Sequence, residues 1–295
     1  MRVRQRRSGW SSLVLCSAEH LEYEACLKIF IRKDRKRCKF MPSAIACFKW
    51  VVDEAYIRRG PSGDLDFSSV DFKIGEYDRN AIEEAVRLKE TLGWKAVTVT
   101  AGLPEAAKGV KDALSRGADE AYFIADSSFG NLDSSQTALI LAEVIRARIR
   151  EYDLIICGEG SSDFYAQQVG PRLAVKLGIP CISFIEKFLI ENSQLIAERR
   201  VEEGVEVITA PLPALVTVLP DINVPRIPGV RDTLMAGKKP TVKISKDELP
   251  PIGEPPLRTI SFKASKMERS CERFGTDTAE IARFVGSLRK KGVIG

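Results

Sequence analysis

The sequence predicts a Rossmann-like, doubly wound parallel α/β sheet with an edge β-hairpin and an extended C-terminal arm. Three observations carry that prediction. From Met41 onward, short apolar runs alternate with amphipathic helical stretches, joined by connections of a few residues; this is the signature of a parallel sheet covered on both faces. Between residues 186 and 218 the helices stop, and strand-like runs follow one another around Glu203-Gly204, which reads as a hairpin added to a sheet edge. Beyond residue 219, prolines at 220, 225, 228, 240, 250, 251, 255 and 256 deny regular structure.

The elements follow in order. "AIACFKWVV" (44–52) reads as a buried strand, and residues 54–75 as a loop with turn signals. "YDRNAIEEAVRLKETLG" reads as a helix, because Ala81, Ile82, Ala85, Val86 and Leu88 recur at helical spacing and Gly93 offers a stop;. "KAVTVTAG" is a strand ending at Gly102. "PEAAKGVKDALSRG" is a helix, with Pro104 near its first turn and Gly117 past its end;. "EAYFIAD" is a strand. "DSSQTALILAEVIRARIR" is a long helix with Asp133 or Ser134 as its N-cap;. "YDLIICG" and "IPCISFI" are strands flanking a helix over "FYAQQVGPRLAVKLG", interrupted at Gly170-Pro171. "TDTAEIARFVGSLRKKG" closes the chain as an amphipathic helix capped by Thr276 or Asp277.

The 295 residues divide into a basic N-terminal extension (1–40) outside the fold, an α/β domain (41–218) carrying a hairpin at 194–210, and an arm with a terminal helix (219–295). Residues 1–40 hold 11 Lys/Arg against 4 Asp/Glu, whereas the remainder holds 34 against 36. The net charge of +5 therefore belongs to the extension, and the rest gives no electrostatic reason to expect a nucleic-acid partner. The extension reads as a start codon assigned too early, with Met41 as the true start; a transit peptide is the competing reading, opposed by its acids. No apolar run approaches the roughly 20 residues that span a bilayer. Of seven cysteines none forms a CxxC pair, which points to a reducing cytosol and to neither a disulfide framework nor a metal site. The single histidine is His20, which removes Ser-His-Asp and Cys-His catalysis from the α/β domain.

Ligands of doubly wound sheets bind outside the carboxyl ends of the strands. The candidate site is therefore Cys47–Val52, Thr100–Gly102, Ala125–Ser128 and Cys157–Asp163. "GEGSSD" (158–163) pairs two glycines with two hydroxyls ahead of a helical stretch, a composition that suits either a plain strand-to-helix turn or a phosphate cradle;. In "DSSQT", Ser134 and Thr137 share one face of a first helical turn, where they cap the helix or contact a diphosphate. The acids Asp53, Glu54, Glu159 and Asp163 lack a recognisable partner. No GxGxxG opens the first helix and no GxxxxGK[ST] is present, against an NAD or NTPase site.

"ACFKWVVDEA", "YDRNAIEEAVRLKE", "ALSRGADEA", "GEGSSDFYAQQVGPRLAVKLGIP", "APLPALVTVLPDINVPRIP" and "AGKKP" occur in the order found in the β subunit of electron transfer flavoproteins. The resemblance runs from about Met41 to about Lys243, and "GEGSSDFYAQQVG" is most similar to the Fix-type branch. It implies an adenine-nucleotide-binding fold and an electron-carrier subunit paired with an α subunit. FAD is then shared with that α subunit, and this chain holds AMP or, in electron-bifurcating relatives that oxidise NADH, a second FAD. The implied cofactor contacts are Cys47, Gly75, Glu76, Tyr77, Asp78, Ala101, Ser134, Thr137, Gly158, Glu159, Gly160, Ser161, Ser162, Asp163, Gln167, Gln168 and Val169. Phe164, Tyr165 and Ala166 replace the acidic run of the AMP type, and Val169-Gly170-Pro171 resembles the bifurcating type; together these tilt the reading towards a second FAD. The hairpin corresponds to the recognition loop for a partner dehydrogenase or quinone reductase, through Gly204, Val205 and Glu206. The arm would embrace the α subunit. A stand-alone adenine-nucleotide-binding protein of the stress-protein type is the alternative, for which the hairpin and arm have no use. Cytoplasmic residence and no direct membrane insertion are expected.

Overall fold

The computed structural model describes residues 3–5, 41–60, 64–255, 257, 259–260 and 271–294. Reading residues 1–40 as an extension falls, apart from residues 3–5, outside the described residues. The chain forms two units: residues 1–57 with 67–259, and residues 58–66 with 260–295.

The first unit is built on one sheet. Its strands are β1 (Ser43–Cys47), β2 (Lys95–Gly102), β3 (Glu120–Ala125), β4 (Leu154–Gly158), β5 (Cys181–Glu191), β6 (Gln194–Val201), β7 (Gly204–Pro211), β8 (Ala214–Val218) and β9 (Thr241–Ile244). In space they run β7-β6-β5-β8-β4-β1-β2-β3-β9. From β5 to β9 every neighbouring pair is parallel, while β5-β6-β7 is antiparallel. Val3–Gln5 pairs antiparallel with β7 beyond that edge.

The period of two in β1 explains the layers. Ala44 and Ala46 turn to one face, where Ala81, Ile82 and Ala85 of α1 (Glu76–Leu92) and Val110 and Leu114 of α2 (Ala107–Ser115) pack. Ile45 and Cys47 turn to the other, against Ala138 and Leu141 of α3 (Ser134–Val144) and Leu173 and Ala174 of α4 (Val169–Leu177). A strand buried on both faces must be largely apolar, and β1 is so from Ala44 to Cys47;. Gly93 ends α1 in the left-handed region (φ 68°), donating to the carbonyls of Leu88 and Lys89;. Asp133 caps α3 in a reciprocal box with Gln136;, and α3 runs into a π-helical turn over Ile145–Ile149.

Four expectations are corrected. The first strand stops at Cys47, and Trp50–Val52 pairs instead with Phe72–Ile74 in a small ribbon. The helix expected from Phe164 starts at Val169, so Pro171 lies in its first turn, where its missing N–H costs nothing;. The third strand of the 186–218 region, β8, enters the sheet between β5 and β4. The arm is not free of regular structure: it forms α5 (Val230–Ala236) and then β9, parallel to β3 at the far edge. Pro240 does not prevent this, because its carbonyl accepts from Ala121 N before the strand begins.

The arm is fixed to α1 by polar contacts. Asn80 Nδ2 donates to the carbonyls of Pro220 and Asn223, and Asn223 Nδ2 returns bonds to Asn80 O and Glu84. Arg226 forks onto Glu83 at 2.8 and 3.0 Å and reaches Glu90 at 2.7 Å. Burial pushes the Glu83 carboxyl up, but Arg226 outweighs it and holds the group below its ordinary value.

The second unit contains the ribbon Arg58–Arg59/Leu65–Asp66 and α6 (Thr278–Lys290). Asp277 caps α6 by accepting from Glu280 N at 3.0 Å. Phe274 and Phe284 pack edge to face, with centroids 5.3 Å apart.

Because the Glu83 side chain is only 7% exposed, Arg226→Ala leaves a buried carboxylate with only the more distant Arg87, at 3.6 Å, as its cation. A loss of about 2–3 kcal/mol is expected. Chemical denaturation checks it, and hydrogen exchange should rise over 220–227.

Candidate functional site

At the carboxyl edge of the sheet, the exit from β1 has no freedom. Phe48 N donates to Val99 O at 3.1 Å, and Thr100 Oγ1 donates to Phe48 O at 2.7 Å. Lys49 N donates to Asp78 Oδ2 at 2.8 Å, and Gly75 N donates to Lys49 O at 3.2 Å. Asp78 therefore ties the end of β1 to the first turn of α1. Its carboxyl also accepts from the backbone of Gly158 at the end of β4. One side chain in a helix N-terminal turn thus holds two strand ends. Burial pushes its pKa up to about 7, against the opposing pull of those backbone donors;.

Gly158 is required by this closeness. A Cβ there would stand 2.5 Å from Asp78 Oδ1 and 2.9 Å from Asp78 N. Gly160 leaves room for the Tyr165 ring, 2.5 Å from where its Cβ would lie. The two glycines of the turn thus admit neighbouring groups of the protein, which the sequence alone does not reveal.

Between them, Glu159 turns inward and is buried. It accepts from Thr217 Oγ1 at 2.5 Å and from Phe184 N at 3.3 Å. Phe184 has φ 62° and lies where the register of β5 shifts, so the bulge aims its N–H at Glu159 and Thr217;. Burial raises the Glu159 pKa despite these donors.

The outer half of the turn is charged and aromatic. Asp163 accepts from Lys49 Nζ at 2.5 Å and from Phe164 N at 2.8 Å. Burial pushes its carboxyl up, but Lys49, together with the Ser161 hydroxyl and the Phe164 N–H, outweighs that and keeps it low. Tyr77 Oη donates to Tyr165 Oη at 3.2 Å, their rings 5.5 Å apart; this bond, then burial, raises Tyr77 to about 12. Tyr165 and Gln167 both occupy the left-handed region, at φ 46° and 56°, a costly conformation for side-chain-bearing residues. Gln168 Oε1 accepts from Ser134 Oγ and Arg172 Nε, both at 3.0 Å, joining α3 to the start of α4. Ser162 Oγ is buried and has no hydrogen-bond partner among the described residues. It lies 3.8 Å from the position a Cβ on Gly75 would take.

The sequence-predicted residues thus do not all come together. Gly75, Tyr77, Asp78, Gly158, Glu159, Gly160, Ser161, Ser162 and Asp163 come together around one turn, with Glu76 on the same helical turn paired to Lys73 at 3.7 Å. Ser134, Gln167, Gln168 and Val169 form a second group beside it. Cys47 lies beneath, hydrogen-bonded to Cys157, and that contact together with burial holds the Cys157 thiol well above its ordinary pKa; such thiols are unreactive. Ala101 sits at the end of β2 against Ile124 of β3, and the Thr137 hydroxyl caps back onto Asp133 O at 2.8 Å. Gly204, Val205 and Glu206 lie apart, at the start of β7, with Val205 exposed and Glu206 bound to Arg199 at 2.7 Å.

The acids thought to lack partners have them: Asp53 and Glu54 pair with Lys73 at 3.1 and 2.8 Å, Asp163 with Lys49, and Glu159 with Thr217. Tyr165 and Thr217 are the site residues that sequence reasoning missed; Lys49 fell within the predicted strand end Cys47–Val52 but was given no role. Thr217 was findable, as the one hydroxyl in the apolar run Ala214–Val218. Two hollows of about 360 and 190 Å³ lie elsewhere, beside α2 and α5. No group of three or more potential metal ligands exists among the described residues, and no helix among them is long and apolar enough to cross a membrane.

The parallel sheet, its two helical layers and the network at its carboxyl edge define a Rossmann-like, doubly wound α/β protein. The family model described as the electron transfer flavoprotein domain matches residues 64–249. The chain belongs to the electron transfer flavoprotein family.

Two outcomes follow. Because the Asp78 pKa is raised from 3.8 to about 7, the folded state holds a proton there that the unfolded chain releases. Its contribution to stability is therefore full below about pH 4 and is lost as pH rises through 7, by up to a few kcal/mol. Denaturation midpoints between pH 5 and 8 should fall for the native chain and stay flatter for Asp78→Asn. Gly158→Ala should cost about 1–3 kcal/mol through overpacking, read by thermal unfolding.

Proposed function

We propose that this chain is the β subunit of an electron transfer flavoprotein of the Fix-type branch, working as a heterodimer with an α subunit. FAD is shared with that α subunit, and the carboxyl edge of the sheet holds an adenine nucleotide, either AMP or the adenosine end of a second FAD. Bound flavin supplies one- and two-electron transfer that no side chain here can supply. The observation that carries the nucleotide reading is the buried, partnerless Ser162 hydroxyl, facing the side of Gly75 that bears no side chain. A buried hydroxyl left without a partner costs free energy unless a ligand completes it.

Each group has a task in this reading. Ser161, Ser162 and the backbone of the 158–163 turn bind phosphate. Asp78 and Glu159 do not touch the ligand; they hold the turn at the ends of β1, β4 and β8. Ser134 and Gln168, already bonded to each other, stand where a ligand extended by a second phosphate would run. The departures from the AMP type noted in the sequence favour a second FAD, and with it bifurcation from NADH.

The hairpin and arm serve partners. Val205 is 42% exposed at the hairpin tip; it anchors a partner dehydrogenase or quinone reductase. The arm leaves Val224, Ile227, Val230 and Leu234 between 71% and 93% exposed, a row for the α subunit to cover.

Extraction and chromatography of the heterodimer made by co-expression test this reading, with two FAD per heterodimer expected. Stoichiometric AMP overturns the second FAD, and an α subunit that binds flavin equally well without this chain overturns the subunit assignment. Val205→Ala should slow electron transfer to a partner about tenfold or more at limiting concentration, given the roughly 1.5–3 kcal/mol from burying such a side chain.

A further inference from the structure

We propose that Lys49 binds the phosphate of an adenosine 5′-phosphate group, and that the Asp163 carboxylate occupies its place on that cation until the ligand arrives. The inference rests on the reading of the 158–169 turn as a nucleotide pocket.

Lys49 is held at its backbone, and its tip reaches the turn. Its N–H is bound to Asp78 and its carbonyl to Gly75 N, at 2.8 and 3.2 Å. From that fixed base its Nζ reaches Asp163 at 2.5 Å and stands 5.0 Å from the centroid of the Phe164 ring. The side chain is 45% exposed, so a phosphate can reach it from solvent.

Charge around the turn makes the need specific. Glu159 and Asp163 lie on it, and Glu76 and Asp78 on the helical turn facing it. A phosphate dianion brought here meets carboxylates, and a cation offsets them. The neighbouring cations are engaged elsewhere: Lys73 with Asp53 and Glu54, and Arg79 Nε with Ile74 O. Arg172 binds the Gln168 amide oxygen at the start of α4. Lys49 alone among these is paired to a carboxylate of the turn.

Asp163 is suited to be displaced. Its second oxygen accepts from Phe164 N at 2.8 Å, so it keeps a donor when Lys49 leaves. The loop that follows carries two left-handed residues, and its tethers include the Lys49–Asp163 pair, the Tyr77–Tyr165 bond and the bond from Tyr165 N to Ser161 O. Transfer of Lys49 to a phosphate therefore releases the Lys49–Asp163 tether and lets the loop settle on the ligand.

Calorimetry on the full chain with AMP, FAD and adenosine tests this, with thermal unfolding as the check on folding. The native chain should prefer AMP to adenosine by about tenfold or more. Lys49→Gln should abolish that preference, leave adenosine affinity unchanged and weaken FAD to the same degree as AMP. Lys49→Arg should keep most of it, Arg172→Gln all of it, and Asp163→Asn should strengthen AMP binding. A Lys49→Gln chain that still prefers AMP, or an Arg172→Gln chain that does not, overturns the inference alone. A native chain that binds none of the three overturns the pocket reading with it.

Discussion

The carboxyl group of Asp78 is the constraint on which the site depends. It sits in the first turn of α1 and accepts from the backbone of Lys49 and Gly158, the residues that leave β1 and β4. Parallel strands end without a hairpin to join them, so their carboxyl ends need an outside tie. A carboxylate at a helix N-terminus supplies one, and the helix dipole favours its charge. The cost is burial of an ionisable group, visible in its raised pKa. Around this tie the other requirements arrange themselves: Gly158 must be bare, and the side chain of Lys49 must rise over the site.

A second tie completes the turn from the other side. Glu159 is gripped by Thr217 of β8 and by the N–H that the bulge in β5 presents. The polar core of the turn thus links four strands with two buried carboxyls. The arm is held by the same logic on a larger scale, since Arg226 and Asn223 bind acids and amides on the outer face of α1. That helix therefore anchors both the site and the segment that crosses to the far edge of the sheet.

Much of the fold was legible because its signals are local. The strands read at 95–102, 120–126 and 152–158 and the stop at Gly93 depend only on neighbours in sequence, and the structure places them within two residues, at 95–102, 120–125 and 154–158. What failed depended on distant partners. Trp50–Val52 looks like a continuation of β1 until Phe72–Ile74 offers it another strand. The arm looks irregular until β3 offers an open edge to Thr241–Ile244. The 158–169 turn was legible as a site from its glycines and hydroxyls, but the roles were not. The glycines proved to admit Asp78 and Tyr165, and the acids that seemed solitary are bound to Lys49, Lys73 and Thr217 from elements far along the chain.

The central claim is that an adenine nucleotide lies across the carboxyl edge, over the turn that Asp78 and Glu159 hold. Photolabelling with an azido-adenine nucleotide, followed by peptide mapping, tests it directly. The account predicts label in peptides holding residues 47–49, 75–78 or 158–169, suppressed by excess AMP or FAD. Label confined to the hollow lined by Lys108, Lys111 and Thr233, equally suppressed, would contradict it.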